Sequence, residues 1–151
     1  MRPRLGGLVI AASVIALDQL TKWWAAETLP GAPITVIPDF LQLRYVTNSG
    51  AAFGFFSGGG PVLAVIAFVV IVGILVVVVR TTHGWAESVV LGLVIGGAAG
   101  NLIDRVTRGE GLLDGAVVDF IDFSFFPAFN VADSAITLGA VFALWLASRR
   151  P

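Results

Sequence analysis

The sequence predicts an all-α membrane protein. Four transmembrane helices are expected, with a small extracytoplasmic segment that contains β structure. Three observations lead there. Of 151 residues, 57% are hydrophobic and only 13% are charged, and mean hydropathy is +0.93. Soluble domains carry roughly 25% charged residues, so the shortage of charge points to lipid as the solvent. Residues 62–79, "VLAVIAFVVIVGILVVVV", are an uncharged run of the length that spans a bilayer. Between the apolar runs, "LQLRYVTN" alternates with a period of two, as a half-buried strand does.

The first helix is expected over residues 5–26. Arg2 and Arg4 ahead of an apolar run also fit a cleaved signal peptide, with the small residues after Trp24 as its exit. Asp18 and Lys22 argue for a retained helix, because an acid-first pair four apart meets on one helix face. Trp23 and Trp24 would then lie at interface depth. The second helix, 61–79, begins at Pro61, a favourable first-turn residue. In the third, 86–103, Gly92, Gly96 and Gly100 recur every four residues and flatten one face for a close neighbour. The fourth covers 131–148, and the whole chain, 1–151, reads as a single membrane domain.

Four crossings place both termini on one side, with Arg2, Arg4, Arg80, His83, Arg149 and Arg150. The positive-inside tendency makes that side the cytoplasm. Lys22, Arg44, Arg105 and Arg108 fall on the opposite side, beside Asp or Asn residues. The outer side receives residues 27–60 and 104–130. Within the first of these, "SGAAFGFFSGGGP" is Gly-rich and apolar, suited to a bent segment on the lipid surface.

Several functions are excluded. A net charge of −1 with nine Lys and Arg supplies no basic face for nucleic acid. No cysteine is present for a disulfide, a thiol nucleophile or a thiolate metal site. His83, the only histidine, lies on the cytoplasmic side, away from the other polar residues. Neither a Ser-His-Asp set nor a histidine-ligated zinc can form at the outer boundary, and no phosphate-binding loop occurs.

What remains is a group of polar residues gathered at that boundary: Asp18, Lys22, Asn48, Asn101, Asp104, Arg105, Asp119, Asp122, Asn130 and Asp133. Ionisable groups at membrane depth are functional candidates because each one destabilises the fold. Each also has a plain structural reading. Asp133, followed by Ser134, can cap the last helix. Asp104 and Arg105 can form a local ion pair ending the third. Asn48 before Ser49-Gly50 can be a turn residue. Phe120, Phe123, Phe125, Phe126 and Phe129 can form an interfacial belt, and Lys22 can simply be the partner of Asp18. These readings account for single residues but leave the clustering on one side unexplained. A pair of close carboxylates, one keeping a proton and the other acting as base, fits the chemistry that survives elimination.

The motifs resemble the lipoprotein signal peptidase, or signal peptidase II, family over essentially the whole chain. The matching segments are "DQLTKWW" (18–24), "TNSGAAFG" (47–54), "GGAAGNLIDR" (96–105), "VVDFIDF" (117–123) and "FNVADS" (129–134). The resemblance implies an aspartic endopeptidase of the bacterial cell membrane, cleaving diacylglyceryl-modified prolipoproteins before their lipidated cysteine. It makes Asp119 and Asp133 the catalytic acids. Asn48, Asn101, Arg105 and Asn130 match substrate-binding positions, and Asp18, Lys22, Gly50, Asp104 and Ala132 match supporting ones. It implies no metal or organic cofactor, a monomer in contact with membrane lipid, and an active site at the extracytoplasmic boundary. The Gly-rich segment around residues 49–60 is expected to close over the substrate as an apolar lid.

The linker "VTRGEGLLDGA" before Asp119 is long for the family, and the segment between the two acids is short. Asp114 and Asp104 are therefore rivals of Asp119. Two other classes compete with a peptidase. A transporter or channel subunit would spread ionisable residues through its helices, whereas the second helix has none. A membrane scaffold would need no paired acids.

Overall fold

The computed structural model describes residues 2–50, 60–80 and 84–149, side chains at 75 and 77–80 apart. Residues 51–59 of the expected lid segment (49–60), His83 and Arg150 lie outside the described residues. Four helices and one small sheet make up the protein: α1 (Pro3–Thr28), β1 (Ile34–Ile37), β2 (Leu41–Asn48), α2 (Gly60–Arg80), α3 (Trp85–Thr107), β3 (Val117–Phe123) and α4 (Val131–Ser148). Among the described residues α1, α3 and α4 are long and apolar enough to cross a membrane, and the described part of α2 is apolar over Gly60–Ile74. Leucines, valines and phenylalanines such as Leu20, Phe68, Leu138 and Leu144 are exposed along the helices. That suits a lipid-facing exterior, where apolar surface has no reason to be covered.

The glycine face of α3 is where α1 docks. A Cβ on Gly96 would lie 2.7 Å from Val14 Cβ and 2.9 Å from the Ala11 carbonyl oxygen. Helix α4 approaches on the other flank, against Gly97. Without a hydrophobic force between helices in lipid, such close approach supplies the packing attraction.

The segments between the helices contain more strand than the alternation at "LQLRYVTN" alone indicates. Strands β1, β2 and β3 form one antiparallel sheet in that order. Apolar residues are nearly continuous in "VVDFIDF", which hides its period from the sequence. Packing on both faces is the reason: Val118 and Phe120 lie in a small core with Ala25 of α1 and Leu29 just after it. Phe120 is thus a core residue and not part of an interfacial belt. It meets Trp24 edge-on, with ring centroids 6.3 Å apart, while Trp23 and Phe125 stay exposed.

After β3 the chain turns back on itself. Phe129 and Ile121 exchange both backbone hydrogen bonds, at 2.9 and 3.0 Å. This return places Asn130, the first residue before α4, directly beside Asp119.

Candidate active site

Asp119 sits in the middle of β3 opposite Val46 of β2. The two-residue period of a strand sends it to the face opposite Val118 and Phe120. There it is only 2% exposed. Asn48 closes β2 on the same side. Its Oδ1 accepts from Gly50 N at 3.0 Å, which leaves Nδ2 to donate to Asp119 Oδ2 at 3.1 Å. Asn48 is therefore a turn residue and an acid partner at once. The other oxygen, Asp119 Oδ1, accepts from Asn130 Nδ2 at 2.7 Å. Burial, followed by the negative charge of Asp133, pushes the Asp119 carboxyl up to about 6, against the pull of the two amides.

Asp133 enters from α4. The N-cap of that helix is Asn130, whose Oδ1 accepts from Asp133 N at 2.9 Å. Asp133 returns the bond, accepting from Asn130 N through Oδ2 at 3.3 Å. The reciprocal arrangement is a capping box. Asp133 thus shares in capping, but at the third helical position, and only one oxygen is used. Its Oδ1 accepts from Asn101 Nδ2 of α3 at 2.8 Å.

Both acids line one cavity of about 620 Å³, shared with Asn48, Gly50, Asn101 and Arg105. Leu63, Phe126, Phe129, Ile136 and Leu138 supply apolar walls. Arg105 is buried and reaches across to Gly50 O, with Nη2 donating at 3.1 Å. Its Nε has no hydrogen-bond partner among the described residues.

The profile of the family described as signal peptidase (SPase) II matches residues 10–149. The chain belongs to the signal peptidase II family. The lipoprotein signal peptidase of Rhodococcus jostii (strain RHA1) is 45% identical over 139 residues, covering 91% of this chain and 70% of that protein. That of Caldanaerobacter subterraneus subsp. tengcongensis is 46% identical over 138 residues, covering 89% and 90%. A solved bacterial membrane enzyme, determined by the in meso method at 2.3 Å, superposes with a TM-score of 0.85 at 33% identity, covering 95% of this chain and 88% of that one. This member of the signal peptidase II family is accordingly a bacterial-type membrane protease.

The family motifs converge in space, though not every residue stands where the sequence suggests. Asn130 does not line the cavity: it is fully buried, its amide occupied by Asp119, Asn101 and the α4 cap. Asp104 does not pair with Arg105. It is fully buried and receives Lys22, Arg108, Gln19 and Val118 N. With its lone pairs so occupied and no place on the cavity wall, it is a poor rival for Asp119. Asp114 is exposed and closes a local turn onto Gly111 N. Asp122 is turned to the other face of β3, where Gln42 and Arg44 hold it. Arg44, with Gln42, holds the Asp122 carboxyl below the usual range, and the hydrogen bond to Asp122 raises Arg44 in turn. Gly50 and Ala132 act through their backbones, accepting from Arg105 and donating to Asp18 Oδ1 at 2.9 Å respectively.

Sequence reasoning passed over Gln19. Its Nε2 lies 3.1 Å from Asp18 Oδ2, 3.1 Å from Gly100 O and 3.2 Å from Asp104 Oδ1. The signal was available: a glutamine inside an expected spanning helix has to find polar partners there.

Proposed function

We propose that Asp119 and Asp133 are the catalytic pair of an aspartic endopeptidase that removes signal peptides from diacylglyceryl-modified prolipoproteins, cutting before the lipidated cysteine. The observation that carries this reading is the placement of both acids on one largely apolar cavity, cross-connected through Asn130 and Asn101. The names of the lipoprotein signal peptidase relatives support the choice of substrate.

In this reading one acid of the pair is ionised and its partner holds a proton, since close carboxylates resist double ionisation. The ionised acid takes a proton from water as the water oxygen attacks the scissile carbonyl carbon. The protonated acid gives its proton to the carbonyl oxygen. Collapse of the tetrahedral intermediate breaks the C–N bond; the departing amine takes the proton that the base drew from water, and the hydroxyl formed from the carbonyl oxygen returns its proton to the other acid. The apolar walls suit acyl chains and a signal helix. Arg105 lines the cavity, and its guanidinium is available to a substrate carbonyl.

The chain acts as a single membrane domain and as a monomer, with both termini cytoplasmic and the cavity at the extracytoplasmic boundary. Replacing Asp119 or Asp133 with Asn should abolish cleavage of a diacylglyceryl prolipoprotein. Substantial cleavage by either variant would sink the assignment. A chelator should leave the wild-type rate unchanged, and a reporter fused at the C-terminus should read cytoplasmic.

A further inference from the structure

Lys22 is fully buried, does not line the cavity and yet is connected to both acids. An ammonium group has three N–H donors and no acceptor. In this protein each donor has an oxygen at 2.9 Å: Asp18 Oδ2, Asp104 Oδ2 and Asn101 Oδ1. What those three groups do next is the informative part. Asp104 Oδ2 also accepts from Val118 N at 3.2 Å, and Val118 immediately precedes Asp119. Asp18 Oδ1 accepts from Ala132 N at 2.9 Å, and Ala132 immediately precedes Asp133. Asn101 donates to Asp133 Oδ1 at 2.8 Å.

Resting on the catalytic reading above, we propose that Lys22 is the positioning residue that sets the spacing between Asp119 and Asp133. Its single charge gathers two carboxylates, and each carboxylate holds the backbone N–H directly before one acid. Asp119 comes from a strand and Asp133 from a helix, so no local geometry fixes their separation. The two arms through Lys22 supply that constraint across α1 and α3. The third arm sets the polarity of the Asn101 amide: because Oδ1 faces the ammonium, Nδ2 must face Asp133. Gln19 bridges the same two carboxylates on its own side and reinforces the bracket. Without the ammonium, Asp18 and Asp104 would repel each other, and the backbone segments that they hold would move apart with them.

A compact three-way point charge is required here, which a planar guanidinium fork does not provide. Lys22→Arg is therefore expected not to restore activity.

The test uses the full chain purified in detergent, with a synthetic diacylglyceryl prolipoprotein as substrate. Lys22→Met removes the bridge but leaves two buried carboxylates short of a cation. In the double variant Lys22→Met with Asp18→Asn the charge is rebalanced. Asp104 keeps Arg108, and the amide oxygen introduced by Asp18→Asn can still accept from Ala132 N. The proposal expects the double variant to fold, to lose at least tenfold in kcat and to keep KM within about twofold, because the cavity walls that hold the substrate are untouched. Three results would overturn it: kcat within twofold of wild type, KM rising by as much as kcat falls, or both variants failing to fold. The last would make Lys22 a folding residue. A folded wild-type enzyme that does not cleave the substrate would count against the reaction itself and not against Lys22.

Discussion

Asn130 Nδ2 donates to Asp119 Oδ1 at 2.7 Å, while the Oδ1 of the same amide accepts from Asp133 N at 2.9 Å. One buried carboxamide thus caps α4 and fixes the orientation of Asp119. Its acceptor side is committed to the helix, so its donor side must face the carboxylate.

Asn130→Ala removes both bonds. Loss of an N-cap costs about 1 kcal/mol, and a buried acceptor left without its donor adds roughly 1–3 kcal/mol. Thermal unfolding in detergent should show a loss of roughly 2–4 kcal/mol. Turnover should fall by at least about tenfold if the fixed orientation of Asp119 matters to the chemistry. A variant with wild-type turnover would show that it does not.

The elevated Asp119 carboxyl makes a prediction about pH. Desolvation and the charge of Asp133 both raise it, so Asp133→Asn should bring its midpoint down from about 6, read by carboxyl carbon-13 NMR. For stability, the folded state binds the extra proton between the unfolded value, about 3.9, and about 6. Stability therefore falls as pH rises through that window. Relative to Asp119→Asn, the wild-type protein should lose on the order of 2–3 kcal/mol between pH 4 and 7. A pH-independent difference between the two proteins would refute the elevation.

Two glycines should respond oppositely to alanine. A Cβ on Gly100 would lie 2.6 Å from Asp18 Oδ2, displacing the carboxylate that holds Ala132 N. Overpacking of this kind costs about 1–3 kcal/mol. Gly73 in α2 has nothing within 4 Å of its would-be Cβ, so Gly73→Ala should be neutral or stabilise by about 0.5–1 kcal/mol through helix propensity. Equal effects at the two positions, measured by unfolding in the same detergent, would contradict the packing described.

The Arg44–Asp122 pair should matter little at neutral pH. Arg44 is 45% exposed, and screening holds such pairs to about 0–1 kcal/mol. Arg44→Ala should therefore shift unfolding by no more than that. Because the Asp122 carboxyl is held below its usual range, the contribution is complete above about pH 4 and disappears as pH falls further. A larger loss at pH 7 would mean that the pair has a role beyond the sheet surface.

The helices were legible because lipid imposes a one-dimensional rule. A segment that crosses the bilayer must be long, apolar and internally hydrogen-bonded, and such runs are visible in any sequence. The glycine face of α3 and the Asp18–Lys22 pair were legible too, since helical spacing brings those residues together regardless of what lies beyond. β3 was not, because a strand buried on both faces loses its alternation. The mistaken pairing of Asp104 with Arg105 has a similar origin. Chain neighbours differ by about 100° around a helix and seldom face each other. Arg108, four residues on, was the helical partner, and Lys22 came from another helix altogether.

By itself the sequence determined the long apolar helices, the family motifs and the list of polar residues that interrupt or flank them. Only the tertiary structure decided which of them meet. Asp119 and Asp122 differ by three positions on a strand, and that alone sends one to the cavity and the other to Arg44. Asn130 became a buried brace and not a cavity wall because the chain folds back along β3 before α4 begins. These are consequences of sheet register and helix approach, which depend on contacts between residues far apart in the chain.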